Sequence, residues 1–348
     1  MRSRSLRTRL ATVTAALAAA TTLGAAGPVH ADTNAPQSHA CSPAVSIDSF
    51  SDALDKTTYE GTFVGNLSAL AVTRDGSLAA VSDRSALFTL DPRTLRPTGV
   101  APLADDKGAE LDSEGVVVDR DGTLLVSSEI GPSVRRYDRE GHLLGGSLPV
   151  PDALRVAPAG RAVTNGTFEG LTLLPGGRTL LASMEYALSG DSAGIVRFQT
   201  WDRGRGQDFR LSAQYGYRAD SGLGVVETTA LPDGRLLVLE RGFTSGVGNT
   251  VRLYLADPRH ATDTSGVENL TGQADVRLIK KTLLTDLVTC PTLGATAKQP
   301  QPNPLLDNIE GMTITGHGPG GLRVLLVSDD NQNAAQTTRF YRLNVRLP

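Results

Sequence analysis

The sequence is poor in the groups on which familiar enzyme chemistry rests. Of its five histidines, His30 falls in the first residues, and His39, His142, His260 and His317 stand singly in polar or turn-like stretches. A histidine in such a place is ordinarily solvated surface, although its pKa would suit a general base. There is no Gly-x-Ser-x-Gly nucleophile elbow, no His-Glu-x-x-His pair and no phosphate-cradling Walker loop. Cysteine is reduced to Cys41 and Cys290, too few and too far apart for a zinc site. In an oxidising compartment these two would form one disulfide, tying an amino-terminal arm to a long loop near the carboxyl end. Aromatic residues make up 5% of the chain, and the single tryptophan, Trp201, with Tyr215 and Tyr217, reads as outer-strand packing rather than a sugar platform. Beyond residue 27 no apolar run approaches the roughly 20 residues that a membrane helix needs. A basic stripe is also missing: 34 Lys and Arg face 37 Asp and Glu, which sets nucleic acid aside as a partner.

What is present begins with a leader. Arg2, Arg4, Arg7 and Arg9 precede a small-residue apolar run from Leu10 to about Gly27, and Val29-His30-Ala31 offers an A-x-A-like cleavage site. Residues 1–31 are therefore expected to be a secretory signal peptide of bacterial type, cut near Ala31-Asp32, and the protein to be extracellular. Without this segment, which holds four arginines and no acid, the formal charge moves from -3 to -7. Residues 32–44 read as an extended polar arm, and residues 45–348 as one domain with ample chain for a core.

The domain is built from a recurring unit. Residues 111–125, LDSEGVVVDRDGTLL, pair a β-branched run with an Asp-Gly turn and a returning strand, which is the signature of a β-hairpin. Variants occupy residues 66–84, 167–185, 224–241 and 308–330, and alignment on the turns equates Ser68, Glu114, Glu169, Val226 and Glu310 at intervals of 46, 55, 57 and 84 residues. A third strand candidate follows each hairpin and a fourth usually follows that, as at 143–149 and 276–287. Repeated four-stranded units make a β-propeller. Five blades are visible, with a sixth left open by the 84-residue interval. The last unit has no room for a fourth strand, so residues 47–54 are expected to close the ring.

In an antiparallel hairpin the start of the first strand lies beside the end of the second. Glu114 should thus neighbour Glu129, Glu169 should neighbour Glu185, and Glu310 should neighbour Asp329 and Asp330. Ser68 should likewise meet Asp83 and Arg84, and Val226-Glu227 should meet Glu240 and Arg241. First strands line a propeller's channel, so these pairs converge on one face. Packed carboxylates raise one another's pKa and call for a positive answer, either from Arg84 and Arg241 or from a hard cation such as Ca²⁺ held by oxygen ligands. Asn66, Asn165, Asn308 and Asn331 could add neutral oxygens. A structural alternative stays open, in which Glu114, Glu169 and Glu310 bond backbone amides of adjoining blades.

Asn66-Leu67-Ser68-Ala69-Leu70 with Ser82-Asp83-Arg84, Asp112-Ser113-Glu114-Gly115 with Ser128-Glu129, Phe168-Glu169-Gly170-Leu171, Leu237 to Arg241, and Ile309-Glu310-Gly311-Met312 with Ser328 to Asn331 together resemble the esterase-like phytase family. The resemblance covers about residues 45–346 and implies hydrolysis of phosphate or carboxylic esters by an exported protein. Two positions depart from the family pattern: Ser68-Ala69 replaces Ser-Gly, and Glu227 sits one place later than the aligned acids.

The reading that follows is an exported, monomeric propeller hydrolase acting on a small phosphoester or ester. Glu114, Glu169 and Glu310 supply a base, Arg84, Arg241 and Asn331 hold substrate, and Asp83, Glu129, Asp329 and Asp330 hold Ca²⁺. The alternatives are a calcium-dependent lactonase, since unrelated propellers place a metal at this mouth, and a binding propeller without catalysis, since fold alone does not settle function.

Overall fold

A computed structural model describes residues 39–348, so the expected signal peptide and residues 32–38 of the arm lie outside the described residues. The opening segments are β1 (Val45–Ser51) and a small hairpin of β2 (Thr57–Tyr59) and β3 (Thr62–Val64). Blade one comprises β4 (Leu67–Val72), β5 (Leu78–Ser82), β6 (Ala86–Leu90) and β7 (Pro97–Pro102). Blade two has β8 (Ser113–Val118), β9 (Leu124–Ser128) and β10 (Ser133–Tyr137). Blade three follows with β11 (Phe168–Leu173), β12 (Thr179–Met184), β13 (Ile195–Asp202) and β14 (Arg210–Arg218). Blade four is β15 (Gly224–Ala230), β16 (Leu236–Thr244), β17 (Gly248–Asp257) and β18 (Lys280–Asp286). Blade five contains β19 (Ile309–Gly318), β20 (Gly321–Ser328) and β21 (Phe340–Val345), with β1 as its outermost strand.

The fold is therefore a five-bladed all-β propeller. Inner strands β4, β8, β11, β15 and β19 each neighbour the next, and β19 returns to β4. Four inner hairpins turn on glycines in the left-handed region, Gly76 (φ 86°), Gly122 (φ 90°), Gly176 (φ 88°) and Gly234 (φ 85°), where a side chain would be strained. Apolar side chains form five clusters, each between two adjoining blades. Leu67, Leu78 and Phe88 meet Leu325 and Phe340, for example, and Leu125 and Val134 meet Phe168 and Trp201. Trp201 is wholly buried and donates its indole N–H to the Pro149 carbonyl at 2.7 Å.

The ring closes as expected, because β1 pairs antiparallel with β21 from Val45↔Val345 to Ser51↔Phe340. Before β1 the chain doubles back, with the N–H groups of Cys41 and Ser42 both donating to the Val45 carbonyl. Cys41 and Cys290 form the disulfide.

The count of five blades holds among the described residues, the 84-residue interval being blade four with long excursions before and after β18. One expectation is corrected. Blade two lacks a fourth strand at 143–149: the segment lies beside β10 with a bridge at Tyr137↔Leu143 and the N–H groups of Leu144 and Leu148 donating to the Arg136 and Val134 carbonyls, but no continuous ladder forms. Gly141 and Gly145, both at positive φ, interrupt the extended backbone there.

Candidate functional site

In every blade the ladder between first and second strands breaks near the start of the first strand, and in blade five it breaks again between Ile314 and Gly316. The breaks near the start lie between Leu67 and Ala69, Ser113 and Val116, Phe168 and Leu171, Val225 and Glu227, and Ile309 and Gly311. Ser68, Glu114, Glu169, Val226 and Glu310, the equated positions, are thus all bulge residues. A bulge adds an unpaired residue, bends its strand and re-aims a side chain. The residues that continue the second strands past the last pair before each bulge are Asp83, Glu129, Glu185, Arg241 and Asp329. The mouth therefore carries two five-fold sets: Ser, Glu, Glu, Val, Glu from the bulges and Asp, Glu, Glu, Arg, Asp from the strand ends.

A glycine follows three of the bulge glutamates because there is no room for more. A Cβ on Gly115 would lie 2.5 Å from the Glu169 carbonyl oxygen, and one on Gly170 would lie 2.5 Å from the Thr228 nitrogen. Ala69 and Glu227 occupy this place in blades one and four. Glu227 is buried, accepts the Thr228 N–H at 2.7 Å and also bonds backbone of Leu171 and Met312. The structural device anticipated for Glu114, Glu169 and Glu310 thus appears at Glu227, which leaves the mouth. Glu240, expected beside Arg241 at the mouth, turns instead into the blade towards the Tyr217 hydroxyl at 2.6 Å.

The mouth is crowded with carboxylates. Oxygens of Asp112, Glu114 and Glu129 lie within 4.8 Å of one another, and so do oxygens of Glu129, Glu169 and Glu185. Burial, then the nearby Glu310, Asp112, Glu129 and Asp329, push Glu114 well above the usual carboxylate range. Glu169 is raised in the same way by burial and by Glu114, Glu185, Glu129 and Glu310. Burial raises Asp329 well above its ordinary value, helped by Glu310, and raises Glu129 and Glu185 to about 7. The part-buried answering charge is Arg241, which donates from Nη2 to Glu310 Oε1 at 2.7 Å and lies 3.7 Å from Glu185. Burial works against its charge, but Glu310, Glu185 and Glu169 outweigh that and hold it firmly protonated.

The remaining expected site residues separate by position. Asn308 donates to Glu310 at 3.0 Å, and Asn66 donates from Nδ2 to Asp83 at 3.1 Å. Arg84 lies at the rim, its side chain 61% exposed and 3.7 Å from Asp83. Asn331 is exposed, and its backbone N–H donates to Asp329 at 2.7 Å. Asp330 departs from the metal set: it pairs with Lys56 and accepts the Asn66 N–H at 3.0 Å, so it clasps the β2–β3 hairpin region to blade five. Sequence reasoning gave no role to Asp112, Glu185 or Tyr186. Their adjacency to Glu114 and to the end of β12 was the available signal.

Several buried polar atoms at the mouth have no partner, namely Asn66 Oδ1, Asp83 Oδ1, Ser68 Oγ and Arg241 Nε. Buried polar groups are normally satisfied. The donor set is all oxygen and largely anionic, which fits a hard divalent cation such as Ca²⁺. Among the described residues no helix is long and apolar enough to cross a membrane.

Fold and mouth together define a five-bladed propeller that gathers carboxylates from blades one, two, three and five around Arg241 of blade four. The chain belongs to the phytase-like family, described as esterase-like activity of phytase, whose model matches residues 62–332. An uncharacterized secreted protein of Arthroderma benhamiae is 31% identical over 121 residues, a span of 28% of this chain and 23% of that protein. Among solved structures, a gluconolactonase of Xanthomonas campestris superposes with a TM-score of 0.42 at 14% identity, over 81% of this chain and 73% of that one. A second solved structure gives a TM-score of 0.41 at 16% identity, over 80% of this chain and 75% of that one. Superpositions this loose carry no chemistry across.

Proposed function

We propose that this protein is an exported hydrolase that cleaves phosphate or carboxylic esters at the acidic mouth with Ca²⁺ bound there. The observation that carries the reading is the cluster of carboxylates, the part-buried Asp112 and the buried Glu114, Glu129, Glu169 and Glu185, whose oxygens approach within 4.8 Å in two overlapping groups and which face one part-buried cation, Arg241. Family membership supports ester hydrolysis, while the disulfide and the secreted relative support export.

Asp83, Glu129 and Asp329, with Asp112, Glu185 and the free Asn66 Oδ1, are the oxygens available to the ion. Bound Ca²⁺ would offset substrate charge and position a water. Arg241, anchored through Glu310 and with Nε unpartnered, offers a donor to the oxygen on which charge develops. Glu169, whose pKa is raised by burial and then by the neighbouring acids, is in its ionised form the stronger base for the proton of the attacking water. Glu114 exchanges a hydrogen bond with Asp112 and forms a second proton reservoir.

The test is calorimetric Ca²⁺ titration of chelated protein, paired with hydrolysis of phytate and a short aryl ester with and without chelator. Stoichiometric binding with chelator-sensitive turnover is the expected result. Binding without turnover on either substrate would leave a lactone hydrolase or a binding propeller, and lactone assays separate those two.

A further inference from the structure

Large apolar side chains left in water are not scattered evenly over this molecule. Among the described residues, Ile130 (61% exposed), Val163 (46%), Tyr186 (39%), Phe243 (54%) and Val247 (55%) all belong to the mouth end of blades two to four. The three others of this kind, Leu144, Leu211 and Leu283, lie on the outermost segments of their blades. Ile130 follows Glu129 directly and Tyr186 follows Glu185. A Cβ placed on Gly166 would come within 2.6 Å of Val163 Cγ2 and 2.8 Å of Tyr186 Cδ2, so these two side chains flank one glycine. The Tyr186 hydroxyl bonds Glu185, and Arg241 and Glu169 act on it electrostatically. It therefore borders the site itself.

Phe243 is presented by a built feature. β15 begins at Gly224, opposite Arg241, yet β16 and β17 continue past that point as a two-stranded ribbon through Gly242↔Thr250, Phe243↔Asn249 and Thr244↔Gly248. Alternation puts Arg241 and Phe243 on one face of β16. The other face, at Gly242, packs on Gly222 and Leu223. Gln301 fixes the ribbon by accepting the Asn249 N–H at 2.8 Å. The ribbon thus stands beside the mouth with Phe243 turned to the side that carries Arg241, and Val247 at its tip.

From this we infer that the substrate is a carboxylic ester with an apolar acyl group, not a polyphosphate. The inference rests on the hydrolase reading above and narrows it. A ring of carboxylates with one part-buried arginine, itself shared with Glu310 and Glu185, offers little to several phosphates at once. An apolar chain gains by covering Phe243, Tyr186 and Ile130, since removing such surface from water is favourable. In the reaction a water oxygen bonds the acyl carbon and the carbon–oxygen bond to the alcohol breaks. The water's proton passes through a mouth carboxylate to the leaving oxygen.

The experiment measures kcat/KM of the calcium-loaded protein on p-nitrophenyl acetate, butyrate and hexanoate, on p-nitrophenyl phosphate and on phytate. The expected result is a rate that rises with acyl length and exceeds both phosphates. Phe243→Ala, and separately Val247→Ser, should lower the hexanoate-to-acetate ratio, about tenfold for Phe243→Ala by the scale of pocket discrimination, while melting temperature confirms that each variant is folded. Hydrolysis of phosphates without aryl esters, a rate independent of acyl length, or an unchanged ratio in both variants overturns this inference and leaves the hydrolase reading standing. Absence of turnover on every substrate overturns both.

Discussion

Glu240 and Glu169 are both buried glutamates, on blades four and three, and they are treated in opposite ways. Glu240 accepts from the Tyr217 hydroxyl at 2.6 Å and the Asp220 N–H at 2.8 Å, and pairs with Lys281. Lys281 also bonds Asp220 at 2.8 Å and lies 4.0 Å above the Tyr254 ring. Burial alone would raise Asp220, but bonds from Lys281, Tyr254 and Arg252 bring it down to about 2. Around Glu169 the neighbours are Glu114, Glu129, Glu185 and Glu310. Glu240 thus has a cation beside it, whereas Glu169 is surrounded by further acids. On the proposed reading the acids at the mouth answer a cation that arrives from outside.

The contrast can be broken most forcefully at Lys281. Lys281→Met should cost about 3 to 5 kcal/mol in urea unfolding, because it strands a buried charge, and should leave Ca²⁺ affinity unchanged. Next comes calcium itself, which at a hundred times its Kd should stabilise the protein by about 2.7 kcal/mol. Glu169→Gln, which takes one negative charge from beside Glu129 and Glu185, should reduce that gain without lowering the melting temperature of the chelated protein. A lower melting temperature with unchanged metal content would instead make the ring a structural device.

The two regions should also answer pH with opposite sign. Glu129 and Glu185 rise from 4.5 to about 7 on folding, so between those values the folded state holds protons that the unfolded state has released. Stability of the chelated protein should therefore fall as pH climbs through this window and level off above it, and saturating Ca²⁺ should flatten the fall. Asp220 is lowered from 3.8 to about 2, so its contribution is present above 3.8 and is lost as pH drops towards 2. Melting temperatures across pH, with and without chelator, check both limbs. The smallest effect belongs to Glu227→Gln. That carboxyl is pushed well above its usual range by burial, against the backbone N–H groups that it accepts, and the isosteric amide keeps one acceptor oxygen, so the swap should change stability by about 1 kcal/mol and leave calcium binding alone.

Hairpin units, turn glycines and ring closure were legible in the residues because each is a local pattern: alternation, a positive-φ turn, a missing fourth strand. The convergence of Glu114, Glu129, Glu169, Glu185 and Glu310 followed from strand pairing alone. What alternation could not convey was the bulge in every blade, which shifts register by one place and decides that Arg241, not Glu240, meets the mouth. Asp330 was misplaced for a related reason, since its partner Lys56 lies 274 residues away and no local pattern announces it. The strand expected at 143–149 failed where glycines at 141 and 145, both at positive φ, interrupt the leucines around them.

The pairing of β1 with β21 also bears on how the chain can be made. Synthesis delivers Val45–Ser51 first and Phe340–Val345 last, so the earliest strand waits for nearly the whole polypeptide before its partner exists. Until then the growing array has an open edge at each end, the kind of surface on which chains aggregate. Blade five cannot be completed by any truncated product that stops before residue 340. Folding of this domain is therefore a check that translation has passed β21, one that the Cys41–Cys290 bond can seal once the ends of the ring have met.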